Sequence, residues 1–512
     1  MEKFQLSKAH IEKRRKKNKF VLRQDIFGSY LQRELSPKDY FKLSFAFPDE
    51  VDKVIIDGLY DGDFYSVYES EVLPLRRDKM FARFRSEGID IFGEWVKYVK
   101  GKGKECWVTS RISEVETREN TKANPRTIEQ EHPDWFIPAF GYKMINMSIP
   151  QMREHKLKAH AELMRKYEFD GIDIDFERHT PVLPPGKQWE MRECITDFMR
   201  KLRADMLEIE KETGRVVMLS ARVPDCLAGC HEDGLDIEQW IKEDLVDCIT
   251  MGSRSFDIKI EEIKALSDEI QVYAGYDTHH TVDGYTFPSL QVLRGVWHAN
   301  LARGADAIEY FNWMGEGSAE LIALVKQLTF EYGMDPAREC FVEYANDDFT
   351  GVNDKEFLLK QDKTYVIDRR GGYPWGIGYG NHNADRQLPL AIENEGVAKL
   401  YVGEDISKAK SATLNLLFEE LKEYPDIYFN GKKLEYTATP HRDLQVTKEK
   451  EAPISGYGVT IRLLNGTDIS KPCTMLIADV TGMETAVGYN QIKVVSSVFV
   501  SLEKVELAVK ES

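Results

Sequence analysis

No run of about eighteen apolar residues, the length a helix needs to cross a bilayer, occurs anywhere in the 512-residue sequence. Positive charge is also in deficit: 69 Lys and Arg face 86 Asp and Glu, a formal net charge of -17. Phosphate backbones are bound through clustered Lys and Arg, so neither nucleic acid nor a membrane is expected as a partner. The bulk of the negative charge serves solubility. Cysteine is sparse, scattered and odd in number (Cys106, Cys194, Cys226, Cys230, Cys248, Cys340, Cys473). That excludes a disulfide framework and fits reduced thiols. Cys226, Cys230 and His231 in "CLAGCH" have metal-like spacing, but no second ligand cluster lies nearby, so structural zinc is not expected.

The glycine-rich phosphate fingerprints GxGxxG and GxxxxGK[ST] are missing after every candidate strand, which removes the dinucleotide and P-loop classes. Residues 1–19 are basic but lack the apolar core of a signal peptide. The run "KRRKKNK" is therefore read as a solvated lead-in to the first strand, and a cytoplasmic location is expected.

Eight apolar runs do occur, at 19–28, 52–61, 104–112, 168–177, 215–223, 245–253, 270–277 and 305–313. Helical periodicity fills several of the gaps. Residues 190–214 carry one apolar stripe through Met191, Cys194, Ile195, Phe198, Met199, Leu202, Met206 and Ile209, and end at Gly214, a helix stop. Residues 149–168 and 290–304 behave likewise. Eight strands separated by helices predict a (β/α)8 TIM barrel over residues 20–340; an open doubly wound sheet would need the missing fingerprint. From about residue 345 short β-like runs alternate with turn residues such as "NGK" and "NGT". This predicts a C-terminal antiparallel β-sandwich domain over 345–512.

The fourth run contains "FDGIDIDFERH" (169–179). On a strand side chains alternate between faces, so Gly171, Asp173, Asp175 and Glu177 share one face while Ile172, Ile174 and Phe176 share the other. In a barrel the apolar trio meets the helix layer. The acids then line the lumen, with Glu177 at the C-terminal mouth where barrel enzymes carry their sites. Stacked carboxylates cannot all ionise easily, so at least one is expected to hold its proton more tightly. A protonated carboxyl beside an ionised one is what glycosidic bond cleavage requires. An edge strand with one wet face would leave the large apolar face unexplained.

"DGIDIDFE" (170–177) resembles the Asp-Gly-x-Asp-x-Asp-x-Glu signature of the family 18 chitinase-type glycoside hydrolases at every fixed position. The resemblance implies a fourth barrel strand, with Glu177 as general acid, Asp175 orienting a substrate N-acetyl group, and Asp173 supporting it. A second resemblance covers most of residues 20–510. "WVTSRISE", "YEFDGIDIDFER", "LSARVP", "GADAIEYFNW" and "GGYPWG" together look like bacterial proteins of the family-10-like glycosyl hydrolase type, with a barrel and an appended sandwich. There the fourth strand reads Asp-Gly-Ile-Glu-Leu-Asp-Phe with an apolar residue before Arg. Asp173, Asp175 and Arg178 match in kind and Glu177 departs, so the choice of acid between Glu177 and Asp175 stays open. The chitinase pattern also expects Met-x-Tyr-Asp after the sixth strand, where this chain has "MGSRSFD". Trp313 stands where that family has a sugar-stacking floor.

The remaining candidates are the C-terminal ends of the strands. Arg111, Arg178, His179, Arg222, Arg254, Tyr276, Asp277, His279, Asn312 and Trp313 form the expected substrate-binding set, with Asp25 and His280 beside them. The arginines would balance the acids and could hold a carboxylated or sulfated sugar. With Asn312 inward, Glu309 is expected to point outward. Asp277, His279 and His280 in "DTHH" could surround a metal, although a sugar-contacting loop is preferred. The sequence thus points to a glycoside hydrolase acting on a carbohydrate without cofactor or metal, its oligomeric state open. The rivals are a metal-dependent sugar isomerase, epimerase or lyase, and a non-catalytic carbohydrate-binding barrel.

Overall fold

The structure is a computed structural model that describes residues 3–18, 20–24, 36–38, 40, 51–59, 65–76, 79–112, 128–139, 142–177, 180–252, 255–276, 285, 288–311, 360–367, 387–454 and 456–511. Eight short strands, most of them apolar on both faces, close on themselves: β1 (Phe20–Gln24), β2 (Lys53–Leu59), β3 (Glu105–Arg111), β4 (Gly171–Asp175), β5 (Met218–Val223), β6 (Cys248–Met251), β7 (Gln271–Tyr276) and β8 (Ala307–Phe311). Every neighbouring pair is parallel, and β1 pairs with both β2 and β8. Closure leaves no unpaired strand edge. This is the expected TIM barrel.

The two strand faces build two cores. Phe20, Leu22, Ile172, Ile174, Leu219, Ile249, Val272, Ile308 and Tyr310 pack with helix residues in the outer core. Val21, Ile55, Trp107, Met218, Cys248, Tyr273 and Ala307 form a separate cluster on the opposite, lumen-facing side. The helix Glu193–Thr213 buries Ile195, Phe198, Met199, Leu202, Met206 and Ile209, and stops at Gly214, whose φ of 70° is left-handed, as a glycine stop requires.

Trp107 explains the glycine of the acidic strand. A Cβ on Gly171 would sit 2.7 Å from three atoms of the Trp107 ring, closer than van der Waals contact allows. The other side of this floor holds Lys53, whose Nζ lies 3.8 Å from the Trp107 ring centroid and donates to Tyr273 Oη at 3.1 Å. A buried ammonium on an aromatic face is a cation–π contact.

The basic N-terminal segment is only in part the solvated lead-in expected from its charge: Arg15, Lys16 and Lys17 are exposed, but the rest is docked. Lys8–Arg14 form a short helix with Ser7 as its N-cap, and His10 and Arg14 are buried. The segment neutralises acids at the N-terminal end of the barrel: Lys13 meets Asp170 at 2.9 Å, Arg14 meets Asp244 at 2.6 Å, and Lys16 meets Glu105 at 3.1 Å. His10 sits between Glu210 (2.7 Å) and Asp247 (2.9 Å). Asp170, the first acid of the quoted run, therefore serves the far end of the barrel, away from the mouth.

Beyond the barrel, β9 (Lys363–Val366), β10 (Leu390–Ile392), β11 (Glu395–Val402), β12 (Ser411–Glu419), β13 (Asp426–Phe429), β14 (Lys432–Lys433), β15 (Thr437–Ile454), β16 (Val459–Asp479), β17 (Gly488–Val495) and β18 (Val500–Lys510) form two sheets. One runs β9-β18-β12-β16-β15 with β10 also on β18; the other runs β11-β17-β13-β14. Both are antiparallel. Leu414, Leu416, Leu476, Leu502 and Leu507 of the first share a core with Leu400, Phe429, Ile492 and Val494 of the second, as in a sandwich. Residues 341–344, where the expected division falls, lie outside the described residues.

The sandwich meets the barrel along the helix Leu290–Ala302. Its Gly295 has room for no Cβ, which would stand 2.1 Å from the Thr364 carbonyl oxygen. Tyr365 Oη donates to Glu404 at 2.7 Å and lies 2.6 Å from His298 Nδ1. Arg303 stacks 3.8 Å from the Tyr401 ring centroid and donates to Tyr489 Oη at 3.0 Å. It also pairs with Asp257, whose burial raises its pKa while Arg303 and Lys259 lower it further, for a net fall below the usual carboxylate range. Among the described residues no helix is long and apolar enough to cross a membrane.

Candidate active site

All five residues of β4 are buried. Because Ile172 and Ile174 belong to the helix-facing core, the alternate positions Asp173 and Asp175 face the lumen, and Glu177 follows two residues later, 1% exposed. Each of these acids has an arginine partner.

The lower tier centres on Arg23 of β1, 1% exposed. Its Nε donates to Glu309 Oε1 at 2.8 Å, and its terminal NH1 donates to Thr109 Oγ1 at 2.7 Å and lies 2.8 Å from Asp173 Oδ2. Hydroxyls fill the other carboxylate sites: Thr109 and Ser220 donate to Asp173 at 3.0 and 2.5 Å, and Thr250 donates to Glu309 at 2.8 Å. Burial alone would lower the Arg23 pKa, but the charges of Asp173, Glu309 and Asp175 outweigh it and raise it. Arg23 is therefore a permanent cation inside the barrel.

The upper tier centres on Arg222 of β5. One terminal nitrogen donates to Asp175 Oδ2 at 2.5 Å and the other to Glu177 Oε2 at 2.6 Å. The guanidinium lies 4.1 Å from the Phe311 ring centroid, a cation–π stack. The Glu177 backbone N–H donates to Asp175 Oδ1 at 3.1 Å, which ties the acid that follows the strand to the one that ends it. Arg111, buried at the end of β3, is in register with Asp175. The mutual repulsion that the acidic run suggests is thus met by buried guanidinium groups, Arg222 on the neighbouring strand β5 and Arg23 on the non-adjacent strand β1.

Several expectations change. Glu309 does not point outward: Ile308 and Tyr310 pack in the helix-facing core, which turns Ala307, Glu309 and Phe311 into the lumen. Tyr276 faces the other way from a substrate contact. Its ring packs 6.3 Å from Trp297 and 5.2 Å from Tyr310, measured between centroids, in the helix layer. Its neighbour Gly275 occupies the lumen side, with the Gly252 carbonyl oxygen 2.1 Å from where a Cβ would be. Asp25, Arg178, His179, Arg254, Asp277, His279, His280, Asn312 and Trp313 lie outside the described residues.

Arg23, Thr109, Ser220, Thr250 and Phe311 were not anticipated. The signal for Arg23 was present: it is a lone charge in "FVLRQ", on the opposite face from Phe20 and Leu22. Among the described residues no group of three or more His, Cys, Asp or Glu could hold a metal ion. Cys226 instead caps the helix Leu227–Asp233, its sulfur accepting from Gly229 N at 3.3 Å, and burial raises the Cys230 pKa well above the ordinary thiol value.

No protein-family model matches the chain. Among solved structures it is similar to alpha-L-fucosidase isoenzyme 2 from Paenibacillus thiaminolyticus (12% identity, TM-score 0.41, covering 63% of this chain and 50% of that one). It is also similar to the GH36 alpha-galactosidase from Geobacillus stearothermophilus (9% identity, TM-score 0.34, 91% and 56% covered). A third is the glycoside hydrolase domain of PelA from Pseudomonas aeruginosa (11% identity, TM-score 0.32, 57% and 95% covered). The match spans only 50% of the fucosidase chain and 56% of the galactosidase chain.

Proposed function

We propose that the protein is a glycoside hydrolase that cleaves a glycosidic bond of an oligosaccharide or glycoside by carboxylate acid/base chemistry. The observation that carries this reading is the pair Asp175 and Glu177, buried at the C-terminal end of β4. Two carboxyl groups close together are the working parts of glycosidase chemistry: one protonates the leaving oxygen, and an anion supports the positive transition state. Glu177, two residues beyond the strand, is the nearer to the mouth. Asp173 stands one step below Asp175 on the same face and fixes the tier beneath through Arg23. The resemblance of residues 170–177 to the family 18 signature supports the same three acids, and the family-10-like resemblance supports a barrel with an accessory sandwich. Arg111, together with Arg178, His179, Arg254, Asp277, His279, Asn312 and Trp313, would form the sugar subsites.

The test is a screen of the wild type, Glu177→Gln and Asp175→Asn against aryl-glycosides and oligosaccharides, with and without a chelator. Turnover that survives the chelator and drops at least about a hundredfold in either variant, the usual size of an acid/base contribution, is the expected result. Turnover abolished by the chelator and indifferent to both substitutions would overturn the reading in favour of metal chemistry at the 277–280 loop.

A further inference from the structure

Arg222 was expected to touch the sugar, yet two of its nitrogens are already engaged by the two acids proposed to do the chemistry. We infer that Arg222 is a positioning residue: it bridges Asp175 and Glu177, holds both carboxyl groups in orientation, and sets how readily the pair takes up its proton. This inference rests on the carboxylate chemistry proposed above.

The geometry supports it in three ways. The planar guanidinium reaches both carboxylates with separate N–H groups, a fork that an ammonium cannot reproduce. Phe311 covers the guanidinium at 4.1 Å, which resists its rotation out of the bridge. Asp175 and Glu177 are two residues apart, with the Glu177 N–H donating to Asp175 Oδ1 at 3.1 Å, so without the cation their charges would oppose each other. Two carboxylates in that position take up one proton between them and titrate as a unit.

Other charged groups face the same pair among the described residues: Arg111 on β3, Arg23 on β1, Asp173 on β4 and Glu309 on β8. Arg23 contributes to the field at Asp175, but its Nε and NH1 hydrogen bonds are taken by Glu309, Thr109 and the Asp173 ion pair. These bonds hold it in the lower tier, below the Arg222 bridge.

The measurement is a carbon NMR titration of side-chain carboxyls, without sugar, on protein labelled at Asp or at Glu, with Asp175→Asn and Glu177→Gln used to assign the two signals. In Arg222→Gln the proton-uptake midpoint of one of the pair is expected to rise by about one pH unit or more, the scale of a neighbouring opposite charge. Arg222→Lys, which keeps charge and loses the fork, should fall between the two proteins. Phe311→Leu should shift the midpoint in the same direction by less, and serves if Arg222→Gln does not fold. Unchanged midpoints in folded Arg222→Lys and Phe311→Leu overturn the inference. Because no sugar is present, a failure to find glycoside turnover would count against the proposed function without touching this result.

Discussion

Arg23 and Glu309 are joined by a 2.8 Å hydrogen bond across the seam where the first and last strands of the barrel meet. Both are fully enclosed, so the bond sits where closure of the barrel and burial of charge depend on each other. Breaking a buried pair by removing one partner costs about 3–5 kcal/mol, since the other charge is left uncompensated.

Glu309→Ala should therefore destabilise the barrel on the order of 3 kcal/mol, near the low end of that range, because Asp173 still compensates Arg23. Glu309→Gln, which keeps a hydrogen-bond acceptor, should cost clearly less. Chemical unfolding followed by tryptophan fluorescence compares them; equal stabilities for wild type and Glu309→Ala would contradict the structural role.

Gly171→Ala tests the floor under the acids. The new methyl would lie 2.7 Å from the Trp107 ring, and overpacking of this kind costs about 1–3 kcal/mol. Trp107→Phe in the same background should recover part of the loss by vacating space. A fully stable Gly171→Ala single variant would mean that the ring moves freely, and the tight contact is not what selects glycine.

The N-terminal helix gives a pH dependence of stated sign. Burial alone would lower the His10 pKa, but its hydrogen bond to Asp247, the charge of Asp247 and the bond to Glu210 prevail over burial and over Arg203, so the folded pKa is raised above its ordinary value of 6.5. A raised folded pKa contributes stability that is fully present below about 6.5 and is lost as pH rises through the folded value. The melting temperature should accordingly decline from about pH 6 upward through the folded pKa, and His10→Gln should flatten that decline. Parallel slopes for the two proteins across this window would show that other groups control it.

The acidic strand was legible because its two faces differ so sharply: Ile172, Ile174 and Phe176 leave the acids only one direction. The same test applied to β8 points Glu309 inward, since Ile308 and Tyr310 are its apolar face; choosing Asn312 as the inward residue hid it. Tyr276 was misplaced because a tyrosine at a strand end suits either face, and the absence of a side chain at Gly275 is what marks the lumen side. Arg23 and Arg222 could not be matched to their acids from sequence. Arg23 lies 286 positions from Glu309, and strand order in a closed sheet brings them together only once the ring is complete. The N-terminal helix was missed for a similar reason. It is short and polar, and its charges are matched by Asp170, Asp244 and Asp247, far along the chain.

Trp107, Tyr273 and Lys53, packed at the floor of the barrel above the docked N-terminal segment, have a consequence for traffic. Their side chains fill the interior and line no channel, since the inside of such a barrel is a packed core. The acids above them therefore face only the C-terminal end.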